Sequence, residues 1–335
     1  MTLSVDLQTN DLLSALTDKY ALEGKELSSY LEKLLQEKSL DYSDYLNLDT
    51  LLTLQKTRSE QPDEMIFIAY HQIVELYFKL IIWEIKQLIR PAPPRVQPEV
   101  FYEKISRINR YIQIIVSSFQ VILEGMDKHQ FQQFRYTLFP ASGSQSYQYR
   151  LIEIYFSDLK NLTSSRSRDN FSADTELSLI FDLLYWKKGM TNPRTGKKSP
   201  TLIDFEKRYD SMLYQHALEL QNRNIWQLFI QQYAHDPLSA KIAGELRRLD
   251  ELFNIYWCGM HYSVVVKHLT SDENTSLQST GNTHWPRYLH PSYRKIIFFP
   301  ELWSEQETQE WGLSEPWIQS PLAPVEMETA LPSTT

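Results

Sequence analysis

Between Asp63 and Arg90 the chain runs DEMIFIAYHQIVELYFKLIIWEIKQLIR, without a glycine or a proline. Pro62 precedes the stretch, acids fill its first turn, and Lys86 and Arg90 stand near its end. Such start and stop signals predict one long helix in register with its own dipole. At about 100° per residue, Phe67, His71, Val74 and Phe78 share one narrow stripe, and Glu75, Lys79 and Lys86 form a separate polar edge. A helix this apolar is expected at the centre of the fold. Its oddity is His71, a histidine on an aromatic stripe. It reads either as a core histidine bonded to a carbonyl or to Glu75, or as a titratable group facing a cavity with aromatic walls.

The rest of the chain is predicted to be helical too. Only nine of 335 residues are glycine, well under the usual share of about 7%. Residues 6–38 read as one or two amphipathic helices broken at Gly24, and Asp41–Gln55 offers Asp44 or Ser43 as the cap of a short helix. Prolines in 91–98 end the central helix. A second long helix is expected over Glu99–Met126, where Ile105, Ile108, Ile112, Ile115, Phe119 and Ile122 recur at three and four. The PASGS segment is a turn, with another helix starting near Gln145. Residues 161–171 and the basic stretch 187–200 read as solvated polar loops. Helices are expected again at 201–222, 224–234 and 238–269. The last carries a packing seam through Ile242, Leu246, Leu249, Phe253, Tyr256 and Met260. The prediction is an all-α helical bundle forming a single domain over residues 1–320, with 1–40 as a helical extension and a disordered tail from Pro321 to Thr335.

Composition excludes several chemistries. A net charge of −8 gives no basic footprint for nucleic acid. The single cysteine, Cys258, rules out an intrachain disulfide and any multi-cysteine zinc or iron–sulfur site. No HExxH, GxSxG or phosphate-loop motif occurs. The N-terminus lacks the marks of a targeting segment, and Ile66–Ile89, broken by Glu and Lys, reads as too polar for a membrane span. A soluble cytoplasmic protein is expected.

The last long helix has a stripe of its own, Trp257, His261, Val264 and His268. A histidine one turn from a tryptophan and flanked by valines suits a haem axial ligand, and suits a core histidine equally well. Arg135, in QFQQFRYTLF, needs an anionic partner if buried, and a surface ion pair is the default expectation.

Set in order, these pieces resemble the tryptophan 2,3-dioxygenase family, haem enzymes that open the indole ring. The resemblance runs from Tyr42 to Trp303 through YSDYLNLDTLL, DEMIFIAYHQIVELYFKLIIWEI, FRYTLFPASGSQSYQYRLIE, WCGMHYSVVVKHL, STGNTHWPRYL and FPELW. It implies haem b, active as Fe2+, with His261 as the axial ligand beside Trp257. It places His71 against the substrate indole N–H and Phe67 on the indole face. It implies that Arg135 pairs with the substrate carboxylate and that Thr280 helps hold the amino-acid end. Tyr42 and Tyr45 match a pair donated by a neighbouring subunit, so a homotetramer is implied, with the N-terminal extension at the subunit interface. The expected substrates are O2 and L-tryptophan or a close derivative, and the expected product is of the N-formylkynurenine type. Three features depart from the family. Its glycine-rich cover loop, GTGGSSG, is here STGNTHW (Ser279–Trp285), the segment between Leu269 and Ser279 is about five residues longer than is usual there, and the phenylalanine of its PASGF turn is Ser144. These departures keep two alternatives open: a haem monooxygenase or peroxygenase that hydroxylates an aromatic amino acid, and an inactive haem-binding sensor.

Overall fold

The computed structural model describes residues 7–22, 26–36, 41–89, 96–139, 141–172, 174–270 and 289–313. Gly24, Arg90, the prolines of 91–95, the STGNTHW segment with Thr280, and the tail from Pro321 lie outside them. Every regular element among the described residues is helical. The only β features there are two isolated bridges, Thr163–Leu184 and Thr191–Lys198. The chain divides into two compact units, Met1–Gln55 and Lys56–Thr335.

In the first unit, α1 (Leu7–Leu22) packs on α2 (Leu27–Gln36) through Tyr20 and Tyr30, whose rings lie 5.4 Å apart. The following turn, Tyr42–Leu46, is capped by Asp41, whose carboxylate accepts from the Asp44 amide at 2.8 Å. The cap is therefore two or three residues upstream of Ser43 or Asp44. Only a side chain before the first helical residue can reach that amide.

The second unit is built around α3 (Asp63–Leu88), which packs on α4 (Pro98–Ser118), α5 (Lys128–Leu138) and α6 (Tyr147–Phe156). α7 (Pro200–Leu220) backs α6, and α8 (Ser239–Glu251) lies along α4. α8 passes through a π-helical turn, Leu252–Tyr256, into α9 (Trp257–Leu269), which contacts α4 and α5. The core follows the predicted periodicity: Ile105, Ile108, Ile112 and Ile115 of α4 are fully buried, as are Ile242, Leu246 and Leu249 of α8. Asp250 fastens the segment after α9 to this core. Its carboxylate accepts from the amides of Phe298 and Phe299, from Trp303 Nε1 and from Asn254 Nδ2.

Several boundaries differ from the sequence reading. The helix expected over Glu99–Met126 breaks at Phe119, and a short turn, Gln120–Leu123, follows. The hydroxyls of Ser117 and Ser118 bond back to the carbonyls of Gln113 and Ile115 and compete with the ladder there. Residues 161–171 hold a turn of helix at Ser165–Arg168, capped by Ser164, and 187–200 begins inside another at Tyr185–Gly189. Lys187 is not solvated. Its ammonium is buried among Asp210 (2.9 Å), Glu206 (3.6 Å) and Asp182 (3.7 Å).

By length and composition α3 is apolar enough to cross a bilayer, so the expectation that it is too polar does not hold. Within its unit the helix carries paired acids instead. Glu64 accepts from Arg58 and Ser59, and Glu84 bonds Lys104 and Arg107. Its packing is also one-sided: Ile73, Leu76, Leu80 and Trp83, at three- and four-residue spacing, are exposed.

Candidate active site

α3, α5, α6 and α9 leave a cavity between them, closed by the 119–126 turn, the Ser142–Ser146 turn and the segment 289–294. His71 of α3 and His261 of α9 both line it. Phe67 lies one turn before His71, its ring centroid 4.1 Å from the imidazole. His71 Nδ1 donates to the Phe67 carbonyl at 2.7 Å, which leaves Nε2 as the acceptor. The imidazole keeps accessible surface toward the cavity while protein surrounds its other sides. That enclosure lowers its pKa, against the smaller opposing effects of the Phe67 carbonyl and Glu75.

Burial likewise pushes His261 down to about 4, with smaller contributions from His71 and Arg294. At neutral pH it is an uncharged imidazole with a free lone pair. Its surroundings are apolar: Phe119 stacks on it at 6.1 Å, and Trp257 packs on Phe78 (5.4 Å) and Phe119 (5.3 Å). Among the described residues no three His, Cys, Asp or Glu side chains could together hold a metal ion. A lone neutral imidazole in apolar walls suits an iron that brings its own equatorial nitrogens in a macrocycle, and does not suit a bare ion. His268 is a different case. It is 1% exposed and its Nε2 donates to the Ile122 carbonyl at 3.2 Å, as a core histidine should.

Arg135, on α5, overturns the surface-pair default. It is 7% exposed, its Nη1 has no acceptor, and no carboxylate among the described residues pairs with it. Its guanidinium lies 4.9 Å from the Tyr136 ring centroid. It stands on the helix that sends Phe131 and Leu138 to the cavity, though Arg135 itself is not part of the lining. A buried guanidinium without an anion is costly, so this position asks for one. Tyr42 and Tyr45 belong to the first unit and are 74% and 75% exposed. Thr280 lies outside the described residues.

Sequence reasoning missed the polar end of the cavity. Glu153, fully buried on α6, accepts from Arg150 (3.0 Å), Tyr185 (2.6 Å) and Arg294 (2.8 Å). Arg294 also donates to Tyr149 Oη at 3.0 Å and to Cys258 Sγ at 2.6 Å. The Arg150–Glu153 spacing on one helix face was a readable signal. The pairing with Arg294, far along the chain, was not. Ser144 lines the same end, its hydroxyl donating to Ser142 Oγ at 3.0 Å. A larger, more open cleft borders the far end of α6, lined by Asp158, Asn161 and Arg168. It holds neither of the paired histidines.

Residues 31–227 match the family model for tryptophan 2,3-dioxygenase. That stretch includes Phe67, His71 and Arg135 and stops short of Trp257 and His261. A tryptophan 2,3-dioxygenase from Burkholderia mallei (strain SAVP1) is 29% identical over 280 residues, covering 81% of this chain and 85% of the relative. One from Burkholderia pseudomallei (strain 1106a) gives the same identity and coverage. One from Ruegeria sp. (strain TM1040) is 41% identical over 115 residues, 34% of this chain and 40% of the relative.

Proposed function

The chain belongs to the tryptophan 2,3-dioxygenase family of haem-dependent oxygenases, and from that premise we propose that its cavity binds haem b through His261 and cleaves the indole C2–C3 bond of L-tryptophan or a close derivative with O2. One observation carries the reading. His71 and His261, both neutral, line a single cavity together with the core histidine His268 and many apolar side chains, and beside it an arginine is buried without an anion.

A ferrous haem on His261 would supply the O2 chemistry, while the protein's own groups bind and orient the substrate. Phe67 offers a face for the indole. His71 Nε2, left as an acceptor by the bond from Nδ1 to the Phe67 carbonyl, receives the indole N–H. With its pKa lowered, the ring accepts that hydrogen bond without a competing proton. Arg135 pairs with the substrate carboxylate, which fixes the amino-acid end and so the direction of the indole edge; Thr280 is proposed to assist there. Catalysis by such groups is first a matter of orientation. The product is of the N-formylkynurenine type.

Exposed Ile73, Leu76, Leu80 and Trp83 on α3 form an apolar stripe of the kind that a second copy covers, which supports a homo-oligomer; we propose a homotetramer in the cytoplasm, with Tyr42 and Tyr45 donated to a neighbour's site. Ser144 favours a second reading. It sets a hydroxyl on the cavity wall where the family has an aromatic ring, which suits a polar aromatic amino acid taking up a single oxygen atom.

Haem titration tests the assignment. His261→Ala should lose the Soret band of bound haem, and His268→Ala should keep it. A normal band in His261→Ala beside its loss in His268→Ala would reverse the two roles.

A further inference from the structure

We infer that the cleft at the far end of α6 is a second ligand site, built for a small organic carboxylate with an apolar body. It shares no lining residue with the histidine cavity and does not depend on what that cavity does.

The cleft opens where α6 gives way to two short turns, Leu159–Leu162 and Ser165–Arg168. The short helix Leu177–Asp182, the C-terminal turn of α7 and the turn Ile225–Leu228 supply its other walls. They leave about 740 Å³, room for a small organic molecule. Ile154, Phe171, Leu177, Ile180 and Leu220 make much of the lining apolar.

Arg168 gives the cleft its demand for an anion. Its Nη2 donates to two backbone carbonyls, Asn161 and Thr163, each at 3.3 Å, and its Nε is buried without an acceptor. Carbonyl oxygens solvate a guanidinium but do not neutralise it, and Arg168 forms no ion pair among the described residues. Desolvation holds its pKa below the ordinary value, against the opposing charges of Asp169, Glu301 and Asp250.

The acids that line the cleft leave this charge unanswered. Asp158 accepts from Asn224 Nδ2 at 2.9 Å and from Gln227 Nε2 at 3.0 Å, and it is not among the charges that act on Arg168. Glu301 is exposed and acts on Arg168 without bonding it. Lys160, also exposed on the lining, adds a second cation. A ligand carboxylate gains a charge-assisted pair with a desolvated guanidinium, the kind of bond that arginine makes best. An inorganic anion would leave the apolar walls wet, and a neutral apolar molecule would leave Arg168 unneutralised. A carboxylate on an apolar body satisfies both demands.

Calorimetric titration of the full-length protein with 3-phenylpropionate, against the uncharged 3-phenylpropanamide, tests the site. Wild type should bind the acid and prefer it to the amide. Arg168→Met should lose about tenfold or more in affinity for the acid and little for the amide, and Arg168→Lys should recover part of the loss. Ile180→Trp fills the cleft without removing the charge. It should weaken both probes, and it carries the test should Arg168→Met not fold. No binding of the acid by wild type, equal affinity for acid and amide, or acid binding that survives both Arg168→Met and Ile180→Trp would overturn the site. A loss of acid binding in Arg135→Leu that Arg168→Met does not share would place the acid in the histidine cavity and overturn it too.

Discussion

Arg135 is buried with no anion at hand, the arrangement expected of a side chain that serves a ligand at the free protein's expense. A buried, unpartnered charge is retained against a desolvation cost of several kcal/mol. Arg135→Leu should therefore melt no lower than wild type in the absence of substrate. Its KM for tryptophan should rise about 10- to 100-fold, the value of a charge-assisted pair. Tryptamine should lose its disadvantage in the same variant; a preference for tryptophan that survives intact would make Arg135 structural. The buried histidines set a pH dependence. Burial lowers the pKa of His268 and His290 below the ordinary value near 6.5, so the unfolded chain binds protons that the folded chain refuses. Their contribution is complete above that value and is lost as pH falls through the folded pKa values. Asp250, raised by burial to about 6, works in the opposite direction from 3.8 upward, but it is one group against two. The urea midpoint of the cofactor-free protein should therefore be lower at pH 5.5 than at pH 7.5, and a flat or rising midpoint would contradict this.

At the scale of elements, helical periodicity made much of the site readable. The stripes on α3 and α9 placed His71 and His261 on faces that meet at one cavity, and the isoleucine seam of α4 is buried as its spacing demands. Two kinds of information were not in the pattern. Hydrophobic spacing continues unchanged across Phe119, so the break made by two serine hydroxyls left no trace in it. Lys187 sits in a run of basic residues that reads as solvated, and only the fold brings Asp210 and Glu206 to it. The link between Glu153 and Arg294 is of the same long-range kind. That link depends on Asp250, because its carboxylate holds the amides of Phe298 and Phe299 and so anchors the segment that carries Arg294. Asp250→Asn puts an amide donor among groups that are already donors. It should cost about 2–4 kcal/mol in urea denaturation. A loss under about 0.5 kcal/mol would mean that the segment is held by other contacts.

In the molecule as a whole, a helical frame sets His71 and His261, both neutral, on the wall of one cavity and buries Arg135 beside it without an anion. A gas sensor has no use for Arg135, and a hydroxylase would transfer one oxygen atom where a ring-opening enzyme transfers two. Family membership favours ring opening, while Ser144 and the altered STGNTHW segment leave room for a change of substrate. The mass of the product formed from tryptophan by haem-loaded, reduced protein under isotopically labelled O2 separates these outcomes in one measurement. Ring opening predicts a product heavier than tryptophan by two labelled oxygen atoms. A product carrying one labelled oxygen, or tryptophan recovered unchanged, would contradict it.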